Sequence, residues 1–172
     1  FQSDLNAALP DGISILEVHE IHQKVNSLQE VVTAFEWKIT LTGVPETVTG
    51  TPTMIDSSLI ETFLERVRSL ETLEVERERK GEIKISEARA ALLDIRFHEG
   101  TELGAIICAE IAINAGVRPN ELIAACATAT GIRVAVERFC RQEQWIQHDG
   151  QRCTPLAREI IGVSPIAQER VA

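Results

Sequence analysis

The segment from Leu73 to Ile85 has the pattern of a β-hairpin, and a hairpin commits its part of the chain to an antiparallel sheet. Successive side chains of a strand point to opposite faces. Here apolar or basic residues at odd positions alternate with glutamates at even positions as far as residue 78. Gly81 can adopt the positive φ that a tight hairpin turn requires. We expect the remaining strands to flank this hairpin in one sheet, with two helices packed on one side.

The region from Phe35 to Cys140 alternates between strand and helix signals. Phe35 to Leu41 has a period of two, which is typical of a strand. A capping box at Ser58 and Glu61 predicts the start of one helix, and Pro119 predicts the start of another. The predicted order is strand, helix, strand, hairpin insertion, strand, helix, strand. This order indicates an α+β fold: a ferredoxin-like split βαβ antiparallel sheet with helices on one face, plus a hairpin insertion and a C-terminal extension.

The pattern divides the chain into three parts. We interpret residues 1–33 as an N-terminal helix and strand left from a preceding half-domain, with the strand at Ile13 to Ile21. Residues 34–140 form the predicted ferredoxin-like α+β domain. Residues 141–172 are polar and form a predicted C-terminal tail. Because the sequence opens within a helical pattern and without Met, we expect it to be a fragment of a longer protein.

The charge balance limits the classes of partner. The chain has 17 basic and 26 acidic residues and a net charge of −9, and such a surface repels a phosphate backbone on average. No apolar run approaches the length of a membrane span, so we predict no membrane partner. The first residues have neither the basic region nor the apolar segment of a signal peptide, and the cysteine pattern predicts a cytoplasmic protein. The cysteines form no Cys-x-x-Cys pair, and Cys108 and Cys126 are predicted to be buried thiols.

Three short motifs occur in a defined order: Leu5-Asn-Ala-Ala-Leu-Pro-Asp-Gly-Ile13, Val75-Glu-Arg-Glu-Arg-Lys-Gly81 and Val117-Arg-Pro-Asn-Glu-Leu122. With this order and spacing, the chain resembles the radical SAM-linked family of uncharacterised bacterial domains. Members of that family are encoded beside a radical SAM protein or fused to its C-terminus. The resemblance covers residues 1–140 and implies a radical SAM protein or domain as partner, in cis or in trans. It carries over no catalytic residue.

The sequence predicts no catalytic residue, metal site or cofactor in this stretch. A radical SAM cluster needs three closely spaced cysteines, and none are spaced that way here. Cys140, His148 and Cys153 fit no standard zinc-ligand spacing. Asp94 with Arg96 is similar to the pairing of an Asp with a basic residue in pseudouridine synthases. The alternation around Asp94 nevertheless explains it as part of a solvent-facing strand surface.

The candidate binding surface is the basic edge of the hairpin, which could contact RNA phosphates or an acidic partner. It comprises four cations: Arg77, Arg79, Lys80 and Lys84. The alternative is cross-strand pairing of these cations with four acids of the same hairpin. Those acids are Glu74, Glu76, Glu78 and Glu82.

The function that the sequence favours is a non-catalytic accessory or recognition domain associated with a radical SAM protein. Whether the full-length protein is itself a radical SAM enzyme stays open at this stage. The alternative is an RNA-binding or RNA-modification domain of the pseudouridine-synthase type, and a sheet-mediated homo-oligomer is the third hypothesis. Phe35 and Trp37 share a face with Ile39 and Leu41, so we predict that they belong to the core. The sheet would then lack the exposed aromatic residues of RNA-binding sheets.

Overall fold

The computed structural model describes residues 1–18, 27–45, 53–79, 81–113, 116–148 and 150–155. The fold is mixed α+β. Its helices are α1 (Gln2–Ala8), α2 (Leu28–Val31), α3 (Ser57–Ser69) and α4 (Pro119–Thr130). Its strands are β1 (Ala34–Gly43), β2 (Glu74–Arg79), β3 (Glu82–Glu87), β4 (Leu92–Gly100), β5 (Gly104–Ala112), β6 (Val134–His148) and β7 (Gln151–Cys153). A short 3-10 turn, Arg89–Ala91, leads into β4.

The main sheet has five strands in the order β4-β5-β1-β6-β7, and neighbouring strands are antiparallel. The register between β1 and β5 is unbroken. The pairings of β1 with β6 and of β4 with β5 each contain two register shifts. Such irregularities bend a strand and increase its twist, so these two pairings shape the sheet.

Both α3 and α4 pack on the same face of the main sheet. An apolar stripe of α3, including Phe63 and Val67, is buried there together with Leu122 and Cys126 of α4. Ile39 of β1 lies beneath these helices with no exposed surface. The burial of Cys108 and Cys126 confirms the prediction that they are buried thiols.

The helix ends follow local capping rules, with one correction. Pro119 is the first residue of α4, as predicted, and Gly131 ends that helix with a φ of 71°. The predicted capping box at Ser58 is wrong, because the N-cap of α3 lies two residues earlier. Its N-cap is Asp56, whose Oδ1 accepts a hydrogen bond from the Ser58 N–H at 3.2 Å.

The hairpin forms as predicted, but its place in the fold differs. Gly81 occupies the turn with a φ of 81°, and β2 and β3 pair only with each other, as a separate two-stranded sheet. The hairpin also follows α3 directly, so it precedes the second strand of the main sheet instead of following it. Leu73 and Val75 are buried in the core that α3 and α4 share with the main sheet. The hairpin is therefore attached to the core of the domain through its first strand, β2.

The N-terminal segment is a helix and turn held together by the side chains of Gln2 and Asn6, and Gln2 donates hydrogen bonds to the carbonyls of Ile15 at 2.9 Å and Leu16 at 2.7 Å. The side chain of Asn6 accepts a hydrogen bond from the Ile15 N–H at 2.6 Å and donates one to the Ile15 carbonyl at 3.0 Å. The prediction of a strand from Ile13 is wrong for residues 13–18, which are not in a strand. Residues 19–21 of that prediction lie outside the described residues.

The last part of the sheet extends into the predicted tail. The strand β6 continues past Cys140 to His148 and then pairs with β7. Ile146 and Cys153 are buried against Val32 in a second, smaller apolar cluster. Residues 156–172 of the predicted tail lie outside the described residues. No helix in the described part of the chain has the length and apolar character needed to cross a membrane.

Candidate functional site

The face of the main sheet opposite α3 and α4, which we call the outer face, carries a row of acids. Asp94 on β4 is paired with Glu110 on β5, Glu110 with Glu36 on β1, and Glu36 with Glu143 on β6. Directly opposed residues of neighbouring strands lie on the same face, and like charges in such positions are destabilising unless they are compensated. Four carboxylates therefore cross four adjacent strands in one line.

Arg96 compensates two of these carboxylates. Its Nη1 lies 2.6 Å from Oδ2 of Asp94, and its Nη2 lies 2.7 Å from Oε1 of Glu36. The strand β5 lies between the strands that carry Arg96 and Glu36. The hydrogen bond to Asp94 is the main reason why the pKa of Arg96 is raised. Arg96 consequently stays charged and fixes both carboxylates.

Arg152 on β7 compensates the most buried acid of the row. Its Nη2 lies 2.7 Å from Oε2 of Glu110, whose side chain is 11% exposed. The same guanidinium lies 3.8 Å from the ring centroid of Trp145, a cation–π contact. The indole N–H of Trp145 is buried and has no hydrogen-bond acceptor in the described structure.

A second row lies beside the row of acids. Along it Arg96 is paired with Cys108, Cys108 with Lys38, and Lys38 with Cys140. Burial raises the pKa of the Cys108 thiol, although Arg96 and Lys38 oppose that change. A buried thiol with a raised pKa is a poor nucleophile. The row thus presents two cations and two thiols with no activated nucleophile at Cys108.

The two arginines border an open depression of about 630 Å³. Its lining includes Glu36, Asp94, Glu110, Trp145 and Gln147 together with both guanidinium groups. In the described residues, no group of three or more His, Cys, Asp or Glu side chains is placed to hold a metal ion. What the depression offers is a set of charges in fixed positions, which is suited to recognising a charged surface.

The predicted hairpin site is only partly described, and its best-defined cation is engaged within the chain. Nε of Arg77 lies 3.1 Å from Oε2 of Glu121 on α4, and its Nη2 donates a hydrogen bond to the Gly116 carbonyl at 2.8 Å. Lys84 is exposed and directly opposite Arg77. The side chain of Arg79, and Lys80 as a whole, lie outside the described residues. A binding role for the four cations therefore stays a prediction.

The residues of the zinc alternative are not shown as a set. Cys140 is exposed on β6 and Cys153 is buried on β7. The side chain of His148 lies outside the described residues.

One family model matches most of the chain. It is described as "Uncharacterized protein conserved in bacteria (DUF2344)" and matches residues 1–121. The chain belongs to this family. No curated protein and no solved structure matches it. The matched DUF2344 region ends within α4, so it contains Glu36, Asp94, Arg96 and Glu110 but not Arg152.

Sequence reasoning missed most of the outer face of this DUF2344 protein. Glu110 lies in the mainly apolar stretch from Leu103 to Ile113. A single carboxylate inside such a stretch is the signal that could have identified it, because buried acids are usually paired. Asp94 and Arg96 were correctly placed on a polar strand surface. Trp145 and Arg152 carry no local signal, since their contact depends on the pairing of β6 with β7.

Proposed function

We propose that this chain is an accessory recognition domain of a radical SAM system and that it binds its partner through the outer face. The motif resemblance supplies the radical SAM partner. The observation that carries the choice of surface is the guanidinium of Arg96, held between Asp94 and Glu36 at 2.6 and 2.7 Å. Charges that are fixed before binding need no reordering in the complex, and this lowers the cost of association.

The strand order supports a ferredoxin-like interpretation of the four central strands. One helix, α3, lies in the chain between β1 and β4, and α4 lies between β5 and β6. The order β4-β5-β1-β6 with both helices on one face is the arrangement expected of a split βαβ unit. In this interpretation the face opposite the helices is the natural binding surface, and here it is the charged one.

Two outer-face charges are available to a partner. Lys38 and Glu143 are half-buried, and neither forms a salt bridge within the described residues. Both are next to charges that Arg96 and Arg152 already neutralise. A partner surface with an acid facing Lys38 and a base facing Glu143 would pair with both charges. Such complementary charges set the orientation of a complex.

The test measures the affinity of the full chain for the radical SAM protein encoded beside it. In the variant Lys38→Gln with Glu143→Gln, we expect a loss on the order of tenfold, because the charges that face the partner are removed while the internal ion pairs remain. Lys84→Gln on the hairpin is the matched control and should bind like the unaltered chain. If the unaltered chain does not bind, the recognition proposal is wrong. If only Lys84→Gln loses affinity, the surface is the hairpin.

The alternative, an RNA-binding or RNA-modification domain, is favoured by one observation. The carboxylate of Asp94 and the guanidinium of Arg96 are in contact on an open face, which is the combination of acid and base that the pseudouridine-synthase comparison requires. Its test is a titration with single-stranded RNA at several salt concentrations. Binding that weakens as salt is added, together with pseudouridine formation lost in Asp94→Asn, would support it. Absence of binding at low salt would exclude it.

A further inference from the structure

A second concave site lies on the helix-bearing face of the sheet, beside the first turn of α4. It is a pocket of about 310 Å³, which we call the aromatic pocket. Its lining includes Phe35, Trp37, Ile111, Val117, Pro119 and Phe139. This volume is at the lower end of small-molecule sites, which are typically apolar with a few polar groups. The pocket is separate from the outer face, because Trp37 and Glu36 are neighbours on β1 and point to opposite faces.

Three aromatic rings form one side of the aromatic pocket. Trp37 lies between Phe35, at a centroid distance of 6.1 Å and an angle of 81°, and Phe139, at 5.7 Å and 70°. Because these contacts are edge to face, the rings are not stacked on one another. Phe139 is 46% exposed. Phe35 and Trp37 were predicted to belong to the core; both pack against the apolar clusters, but both are only half-buried and line an open pocket.

Two arginines supply positive charge at the rim. The guanidinium of Arg141 lies 4.7 Å from the ring centroid of Phe35, and Arg118 lines the pocket at the N-cap of α4. Both are exposed, and neither forms a salt bridge within the described part of the chain. The acid in the first turn of α4, Glu121, is paired with Arg77 through Oε2 at 3.1 Å, and the same oxygen accepts a hydrogen bond from the Arg118 N–H at 3.1 Å. The rim is thus locally cationic in a protein whose net charge is −9.

From this combination we propose that the aromatic pocket binds a single nucleotide, with the base against Trp37 and Phe139 and the phosphate at Arg141. Aromatic rings bind nucleobases through their π faces, and a guanidinium binds phosphate through paired hydrogen bonds. The occupant is one nucleotide and not a strand. The pocket volume of about 310 Å³ favours a single small ligand, and the net charge of −9 disfavours a longer phosphate backbone. This inference does not depend on the proposed radical SAM partner.

The experiment is a fluorescence titration of the full chain carrying Trp145→Phe, which leaves Trp37 as the only tryptophan. The probes are AMP, GMP, CMP and UMP, with adenosine, ribose 5-phosphate and a ten-nucleotide RNA for comparison. We expect saturable quenching by at least one nucleotide, weaker quenching by adenosine, and none by ribose 5-phosphate. Calorimetric titration of the unaltered chain provides a second readout that does not require the substitution.

Phe139→Ala and Arg141→Gln should each weaken nucleotide binding about tenfold, the scale of one lost stacking or charged contact. The matched control is Arg138→Gln, which removes an exposed arginine from the opposite face of the same strand. Circular dichroism establishes that each variant is folded. Absence of saturable binding by all four nucleotides at millimolar concentration would overturn the inference. So would nucleotide affinities of Phe139→Ala and Arg141→Gln that equal that of the unaltered chain, or an RNA affinity that exceeds that of every mononucleotide.

Discussion

Arg96 on β4 and Glu36 on β1 form an ion pair of 2.7 Å across the intervening strand β5. This contact between side chains links the edge strand β4 to the central strand β1, which are not hydrogen-bonded to each other through their backbones. Because the same guanidinium also bonds Asp94 at 2.6 Å, one side chain neutralises two members of the acidic row. The outer face is therefore stabilised by charge pairing, whereas the opposite face is stabilised by apolar burial under the helices.

Arg96→Gln should lower the free energy of unfolding by about 1 kcal/mol, the sum of two partly exposed ion pairs. The Arg96 side chain is 45% exposed, so salt should screen the effect, and the loss should shrink at high ionic strength. Urea denaturation at low and high salt measures both quantities. Arg138→Gln is the control, because Arg138 is exposed on the same face and forms no ion pair within the described residues. Equal losses in the two variants would contradict this account.

The sequence predicted the helices and strands of the fold better than it predicted which strands pair with each other. Period-two alternation identified β1 and the hairpin, because a strand whose two faces differ in polarity shows alternating residue types within a short stretch of sequence. It could not show that the hairpin pairs only with itself, since alternation does not specify which strand lies alongside. Arg152 and Glu110 are in contact although they are far apart in the chain. Such a pair is fixed by strand order and register, and neither is encoded within a short window.

The same limit applies to the predicted hairpin site. Arg77 was grouped with Lys84 because both are cations of one hairpin, yet the pairing of Arg77 with Glu121 depends on how β2 packs against α4. Similarly, Phe35 and Trp37 were correctly assigned to the apolar face of β1. They are partly exposed because α4 begins at Pro119 and does not cover the sheet beyond that residue. The alternation of residues along β1 carries no information about where α4 begins.

Arg77→Gln should destabilise the fold more than Lys84→Gln. Arg77 is held by Glu121 at 3.1 Å and by the Gly116 carbonyl at 2.8 Å. Its removal takes this donor from the carbonyl and the cation from the carboxylate, which still accepts a hydrogen bond from the Arg118 N–H. The expected loss is about 1 kcal/mol, and it should be seen as a lower midpoint in urea denaturation. Lys84 is exposed and has no ion pair in the described structure, so Lys84→Gln should leave the midpoint unchanged. A larger effect for Lys84→Gln would show that Arg77 does not attach the hairpin to α4.

The cap of α3 gives a dependence of stability on pH. Hydrogen bonds from the Ser58 N–H and hydroxyl lower the pKa of Asp56 from its ordinary value of 3.8. A carboxylate with a depressed pKa in the folded state stabilises the protein above the pKa of the unfolded state, and this contribution disappears as the pH falls through the folded value. Asp56→Ala should therefore lower Tm at neutral pH. The difference in Tm between this variant and the unaltered chain should become smaller well below pH 3.8.

Glu61→Ala distinguishes this cap from the capping box predicted from the sequence. With Asp56 as the N-cap, Glu61 is an exposed residue of the second helical turn without a capping role. Its replacement should leave Tm nearly unchanged at every pH. If Glu61→Ala were as destabilising as Asp56→Ala at neutral pH, the helix would begin where the sequence pattern placed it.

The four cysteines should differ in reactivity towards a disulfide reagent such as DTNB. Cys140 is exposed, whereas Cys108, Cys126 and Cys153 are buried. Burial raises the pKa of the Cys126 thiol to about 12, so at mildly alkaline pH almost none of it is the reactive thiolate. We expect one rapidly reacting thiol in the folded protein and four after denaturation. Cys140→Ser should remove the fast phase, and its persistence in that variant would contradict the placement of the outer-face cysteines.

At Gly104, the backbone of β5 comes very close to the backbone of β1. A Cβ at this position would collide with the carbonyl oxygen of Leu41 and would lie 3.0 Å from a methyl carbon of Ile55. The oxygen belongs to the backbone of β1 and cannot turn aside as the end of a flexible side chain could. Gly104→Ala should therefore cost about 1–3 kcal/mol, the range for overpacking a close-packed interior.

Gly100→Ala is the matched control at the end of the adjacent strand. A Cβ there would meet only the Ser57 hydroxyl at 3.6 Å, an ordinary van der Waals contact, and the backbone is not in the positive-φ region. Its unfolding free energy should be unchanged or slightly higher, because alanine restricts the unfolded chain more than glycine does. Urea denaturation of the two variants separates steric collision from the general effect of replacing a strand glycine. Similar unfolding free energies for the two variants would mean that β5 does not approach Leu41 this closely.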